Sequence, residues 1–201
     1  MAVSEIDTPH GLARAHTHPV DRPRATLVLG HGAGGGVEAP DLVAARNAAL
    51  EKHVWVALVE QPYRVAGRRS PAPARQLDAA FVAVVEQLVT GELRDLPLLV
   101  GGRSLGGRVA CRTVAATGAV GVLCLAFPLQ PPRRSTESRL SELDALLVPT
   151  LVVQGERDPF GIPPPGPRRK VVLVSGDHGL KGDPEAVHAA VRAWLHALLT
   201  A

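Results

Sequence analysis

The sequence predicts an α/β protein built on a mostly parallel, doubly wound sheet of about six to eight strands, with helices on both faces. Three observations lead there. Short, continuous apolar runs recur along the chain, as strands buried on both faces require. Segments with apolar residues at helical spacing separate most of those runs. The runs end in glycine- or proline-bearing turns, and these turns hold the residues with chemical potential.

Composition sets the outer limits. Residues 1–201 are expected to form a single domain, long enough to bury a real core. Hydrophobic residues make up 46% of the chain, which argues against disorder, while aromatics make up only 3%. The core must therefore be mostly Ala, Val and Leu, and single-stranded nucleic acid would find few stacking platforms. The net charge of +3 comes with arginines in small groups: Arg22 and Arg24, Arg68 and Arg69, Arg133 and Arg134, Arg168 and Arg169. Such scattering suits a solvated surface better than a polyanion-binding patch. The segment 1–11 carries acidic residues and no apolar stretch of signal-peptide type, and no run reaches the roughly 18 apolar residues of a membrane span. Cys111 and Cys124 read as buried thiols of a reducing compartment, so a cytoplasmic location is expected, with no nucleic-acid or membrane partner.

In chain order, Val3–Asp7 and Leu12–Thr17 flank Thr8-Pro9-His10-Gly11 and read as an edge hairpin within residues 1–24. His16 and His18 share a strand face there, but no carboxylate or cysteine at ligand spacing makes them a metal site. Ala25–Gly30 is a strand buried on both faces. It is followed by a glycine-rich loop and a helix beginning near Pro40-Asp41, with Leu42, Ala45, Ala49 and Leu50 on one face. Val54–Val59 is the next strand. Tyr63–Ala74 is an arginine- and proline-rich loop, and Gln76–Val89 is an amphipathic helix through Leu77, Phe81, Val84, Val85 and Leu88. The strand Leu98–Gly101 leads into a helix ending near Thr117. Val120–Ala126 and Thr150–Gln154 are further strands, with a short helix around Arg139–Leu147 between them. Pro163 to Pro167 cannot be helical, so an irregular loop precedes the last strand, Lys170–Val174. Asp183-Pro184 then starts a helix as N-cap and first-turn proline.

The chemistry centres on Gly102-Arg103-Ser104-Leu105-Gly106, a G-x-S-x-G pattern between a strand and a helix. Glycines two positions either side of a serine permit a very tight turn that exposes its hydroxyl above the sheet. Two later strand ends carry suitable partners, Asp158 and then His178. A serine hydroxyl needs a base to take its proton, a histidine titrates near neutral pH, and a carboxylate fixes the imidazole tautomer. Glu156 and Asp183 are fallback acids. Leu105 N–H, at a helix start, and Ala33 N–H, with Gly34 next in line, are the expected oxyanion donors. Arg103 could contact an anionic substrate or, more simply, anchor its loop. Arg108 and Arg112 read as a solvated helix face, and Arg64, Arg68 and Arg69 as residues bordering the pocket mouth.

The glycine loop has a rival reading. Gly30, Gly32 and Gly35 fit G-x-G-x-x-G, and Glu60 closes the next strand where a dinucleotide-binding fold places its ribose-binding acid. That reading leaves Ser104, Asp158 and His178 without a role.

The motifs Gly-His-Gly-Ala-Gly-Gly, Gly-Gly-Arg-Ser-Leu-Gly-Gly-Arg, Gln-Gly-Glu-Arg-Asp-Pro-Phe-Gly and Gly-Asp-His resemble those of the α/β-hydrolase superfamily. More narrowly they resemble its small dienelactone-hydrolase-like branch, which includes testis-expressed protein 30. The resemblance spans about Ala25 to Leu199 and implies an α/β-hydrolase fold without a large cap domain. It implies Ser104 as nucleophile, Asp158 as acid and His178 as base, but no settled substrate. Serine-nucleophile chemistry at these residues predicts a hydrolase acting on a small ester, thioester or related acyl compound, with neither metal nor organic cofactor. Dienelactone hydrolase itself uses cysteine, so its substrate does not transfer. Some relatives serve as non-catalytic modules, which leaves a binding or scaffold role as the alternative.

Overall fold

A computed structural model of the chain describes residues 1–131 and 138–200. One sheet of eight strands runs through it. The strands are β1 (Ala2–Thr8), β2 (Gly11–His18), β3 (Ala25–Gly30), β4 (Val54–Glu60), β5 (Leu98–Arg103), β6 (Gly121–Leu125), β7 (Thr150–Gly155) and β8 (Arg169–Val174). Their spatial order is β1-β2-β4-β3-β5-β6-β7-β8. The hairpin β1–β2 is antiparallel and docks antiparallel on β4; every pairing from β4 to β8 is parallel.

The parallel strands β3, β5, β6 and β7 are almost wholly buried, as their unbroken Leu/Val runs require. Their side chains alternate between two cores. Leu27, Leu29, Val56, Leu58, Leu123 and Leu151 face α1 (Pro40–Leu50) and α6 (Pro184–Thr200). Val28, Ala57, Val59, Val100, Val122 and Val152 face α3 (Ala74–Leu88) and α4 (Leu105–Thr117). Short helices α2 (Pro62–Val65) and α5 (Leu140–Asp144) complete the set, so the segment read as the loop Tyr63–Ala74 opens with one helical turn. Pro62 at its first position presets the helical φ and has no N–H to leave unpaired. Asp183 Oδ1 accepts from Ala186 N at 2.9 Å and caps α6. No helix among the described residues is long and apolar enough to cross a membrane.

Two features position the site. From β3 the chain moves outward to β4 and then returns to the other side of β3 as β5. The carboxyl ends of β3 and β5 therefore flank the crevice where the strand order reverses, the place where open parallel sheets bind ligands. No large cap covers that end among the described residues. The basic pair Arg133 and Arg134 lies outside the described residues; Arg24 instead donates to Leu199 O at 2.7 Å, and Arg169 pairs with Asp144 at 2.9 Å.

Candidate active site

Ser104 sits between β5 and α4 with φ 50° and ψ −104°, a conformation that costs a non-glycine residue about 1–3 kcal/mol. The turn is held from both sides. Ser104 N donates to Leu125 O of β6 at 2.8 Å. The start of α4 crosses the end of β3 so closely that a Cβ on Gly106 would overlap Gly30 O, and one on Gly102 would meet the same carbonyl. The two glycines of the elbow are thus required by contact between backbones.

The serine hydroxyl meets a histidine. His178, in the loop after β8, places Nε2 2.9 Å from Ser104 Oγ and Nδ1 2.8 Å from Asp158 Oδ2. An ionised carboxylate only accepts, so Nδ1 carries the hydrogen and Nε2 is left to accept from the hydroxyl. The Asp158 carboxylate is fully buried and its other bonds are fixed. Phe160 N donates to Oδ1 at 2.9 Å, and Gln154 Nε2 donates to Oδ2 at 2.8 Å. Gln154, buried at the end of β7, also bridges Phe127 through both its N and O and reaches Gly161 O. The Phe160 ring stands edge-on to the imidazole with centroids 4.6 Å apart. The fallback acids lie elsewhere: Asp183 caps α6, and Glu156 is exposed.

The glycine loop after β3 is fastened from behind. Gln61 N donates to His31 Nε2 at 3.1 Å, so the ring hydrogen lies on Nδ1, which donates to Gly32 O at 2.7 Å. Burial holds the His31 pKa below its ordinary value. Tyr63 Oη donates to Ala33 O at 2.9 Å; burial pushes its phenol pKa up to about 12, so it remains a donor. Across a trans peptide the carbonyl and the next N–H point in opposite directions. Gly32 O turned toward His31 therefore directs the Ala33 N–H the other way, and Ala33 O turned toward Tyr63 does the same for Gly34 N–H. Neither Ala33 N–H nor Leu105 N–H has a backbone acceptor among the described residues.

A cleft of about 350 Å³ opens here, lined by Ala33, Gly34, Ser104, Leu105, Phe160 and His178. Three arginines, Arg103, Arg108 and Arg139, also line it. Arg103 is tied down on its far side. Its Nε lies 3.0 Å from Asp41 Oδ2 as an ion pair, Nη2 donates to His178 O at 3.2 Å, and a Cβ on Gly32 would come within 2.7 Å of Nη1. The guanidinium is a strut joining the elbow, the glycine loop and the histidine loop. Asp41 is fully buried, and burial raises its pKa against the pull of Arg103.

Several expectations are corrected. Arg108 and Arg112 do not form a solvated face: each is 21% exposed, and they engage Glu142 of α5 and Asp78 of α3 through paired contacts. Arg64, Arg68 and Arg69 do not border the Ser104 cleft; Arg68 lines a separate cavity with His10, Tyr63 and Gln76. The dinucleotide reading also fails in geometry. Glu60 Oε2 is bound by His16 Nε2 at 3.0 Å, and α1 starts only at Pro40, so the glycine loop does not run directly into a helix N-terminus. Among the described residues no group of three His, Cys, Asp or Glu side chains could hold a metal. Cys111 of α4 and Cys124 of β6 are buried free thiols with sulfurs 3.6 Å apart, between helix and sheet. Gln154, Asp41 and Arg139 had no sequence signal as site residues, because each acquires its role from partners on other elements.

These features define an α/β sheet with a serine elbow at its switch point. A family model described as an alpha/beta hydrolase domain matches residues 23–186, and the chain belongs to that family. Among curated proteins no sequence match was found. Solved structures share the fold. An α/β serine hydrolase without lid from Xanthomonas campestris aligns with TM-score 0.79 at 19% identity, covering 100% of this chain and 95% of that one. Est1E from Butyrivibrio proteoclasticus aligns with TM-score 0.82 at 15% identity, covering 100% of both chains. Dienelactone hydrolase from Anabaena variabilis aligns with TM-score 0.76 at 14% identity, covering 99% of this chain and 96% of that one. A dienelactone hydrolase is thus among the structures that share the fold, in line with the dienelactone-hydrolase-like resemblance read from the motifs.

Proposed function

We propose that the chain is a serine hydrolase that cleaves a small ester, thioester or related acyl compound through an acyl-enzyme. The observation that carries this reading is the unbroken chain from Ser104 Oγ through His178 to buried Asp158, with the serine on a strained elbow. Strain of that kind persists only where surrounding contacts impose it, and it is concentrated at functional positions. His178 Nε2 takes the hydroxyl proton as Ser104 Oγ bonds to the substrate carbonyl carbon. The carbonyl oxygen becomes an oxyanion, which the N–H groups of Ala33 and Leu105 stabilise, with Gly34 adjacent. His178 then returns the proton to the leaving group as its bond breaks, and water repeats the sequence to free the acid.

Ionised Asp158 holds the imidazole tautomer and offsets the charge of the imidazolium. The cleft volume supports a small substrate rather than a macromolecule. The chemistry calls for no metal or organic cofactor. Two free thiols support a reducing compartment, and we assign the reaction to the cytoplasm. Turnover of an activated acyl ester such as 4-nitrophenyl acetate tests the assignment. Ser104→Ala and His178→Ala should each lower kcat/KM by roughly 10⁴–10⁶; wild-type rates in either variant would refute it.

A further inference from the structure

We propose that the cleft takes an anionic substrate, a small ester bearing a carboxylate, and that Arg139 is the residue that binds this carboxylate. The inference rests on the assignment of Ser104 as nucleophile and names the substrate class of that same site. Its basis is the charge lining the cleft. Three arginines line the cavity that holds Ser104, and no carboxylate among the described residues lines it. Two of the three are neutralised from behind: Arg103 by buried Asp41, and Arg108 by the paired contacts to Glu142. Arg139 has no carboxylate within ion-pair range among the described residues, and its side chain donates only a 3.3 Å bond to Pro128 O.

The position of Arg139 is fixed all the same. Its backbone N donates to Leu129 O at 2.8 Å, and its backbone O accepts from Glu142 N at 3.1 Å at the start of α5. A guanidinium has five N–H donors in a rigid plane, and the arrangement matches the two oxygens of a carboxylate. Among the described residues most of those donors have no acceptor and remain for a ligand. The local field points the same way: burial first, then neighbouring Arg108, push the Arg139 pKa down, while Glu142 opposes them. A cation under that stress gains from an anion at its open side. Leu105, Pro128 and Phe160 add apolar lining, which strengthens a charge-assisted contact relative to one in open water.

The test compares matched esters on the same protein preparations. For a carboxylate on the acyl side the pair is 4-nitrophenyl hydrogen glutarate and 4-nitrophenyl valerate; for one on the leaving group it is 4-acetoxybenzoate and its methyl ester. The readout is the ratio of kcat/KM for the anionic ester to that for the neutral one. In the wild type one of the two pairs should favour the anion by about 10- to 100-fold, with the difference carried mainly by KM. That pair identifies the side on which the carboxylate sits. Arg139→Gln should bring the ratio close to one, and Arg139→Lys, which keeps charge but loses the planar fork, should fall between. A variant that folds less well lowers both rates and leaves the ratio, so the ratio isolates recognition. Neutral esters turned over with no anion preference in either pair would overturn the proposal and leave the serine-hydrolase assignment standing. A wild-type preference that survives Arg139→Gln would remove Arg139 from the role. No Ser104-dependent turnover of any of the four esters would refute both readings together.

Discussion

Replacing Arg103 by methionine gives the sharpest test of how the site is held. The substitution keeps most of the side-chain length but removes the only described cation paired with Asp41, whose side chain is fully buried. An isolated carboxylate there will not stay charged, because it can take a proton instead. That alternative sets a ceiling on the cost. Neutralising a carboxyl with an ordinary pKa of 3.8 takes up to about 4 kcal/mol at pH 7 and under about 2 kcal/mol at pH 5. The sign follows from the direction of the shift. A raised folded pKa contributes stability that is fully present below the unfolded value and is lost as pH rises through the folded value. Burial already raises the Asp41 pKa with Arg103 in place, and its removal raises it further. Urea unfolding of wild type and Arg103→Met should therefore show a stability gap that widens from pH 5 to pH 7 by up to about 2.5 kcal/mol. Adding Asp41→Asn should abolish most of that pH dependence. A gap independent of pH, or one below about 0.5 kcal/mol throughout, would refute the strut and return Arg103 to the role of substrate contact.

Two other perturbations probe the neighbouring supports. His31→Ala leaves Gly32 O and Gln61 N without their partners and should cost about 2–4 kcal/mol in urea unfolding. In the wild type, burial lowers the His31 pKa from 6.5, so its contribution is present above that value and lost as pH falls through the lowered one; equal pH slopes for wild type and variant between pH 5 and 8 would contradict this. Gln154→Leu, nearly the same size, strips a donor from Asp158 and unpairs Phe127 N and O and Gly161 O; it should lose about 3 kcal/mol of stability and lower kcat more than it raises KM, and a change under about 1 kcal/mol would count against Gln154 as the hub.

Much of the fold can be read from local pattern, and much of the site's support cannot. Val28, Leu29, Leu123 and Val152 lie in runs with no polar face, and only a strand covered on both sides accommodates such a run. Ser104 is legible because two glycines at fixed offsets are a local consequence of the crossing with Gly30. Asp158 and His178 are legible as strand-end residues in the right chain order, although their approach depends on the whole β7–β8 edge. Arg108 and Arg112, by contrast, look solvated at helical spacing, and nothing nearby announces partners 34 residues away on either side. Asp41 reads as an ordinary acidic residue at a helix start. Its burial follows from the packing of α1 against β4 and β5, where Arg103 ends β5. Arg139 follows the same rule: the cleft that gives it meaning is assembled from six separate segments.

The central claim is that Ser104 is an activated nucleophile, and covalent trapping addresses it most directly. A fluorophosphonate probe forms a stable phosphonyl ester with an activated serine, and peptide mass mapping identifies the residue that carries it. Wild-type protein should carry one label, placed on Ser104, with labelling lost in Ser104→Ala and strongly slowed in His178→Ala. Absence of label from folded wild type, or equal labelling of the Ser104→Ala protein, would contradict it.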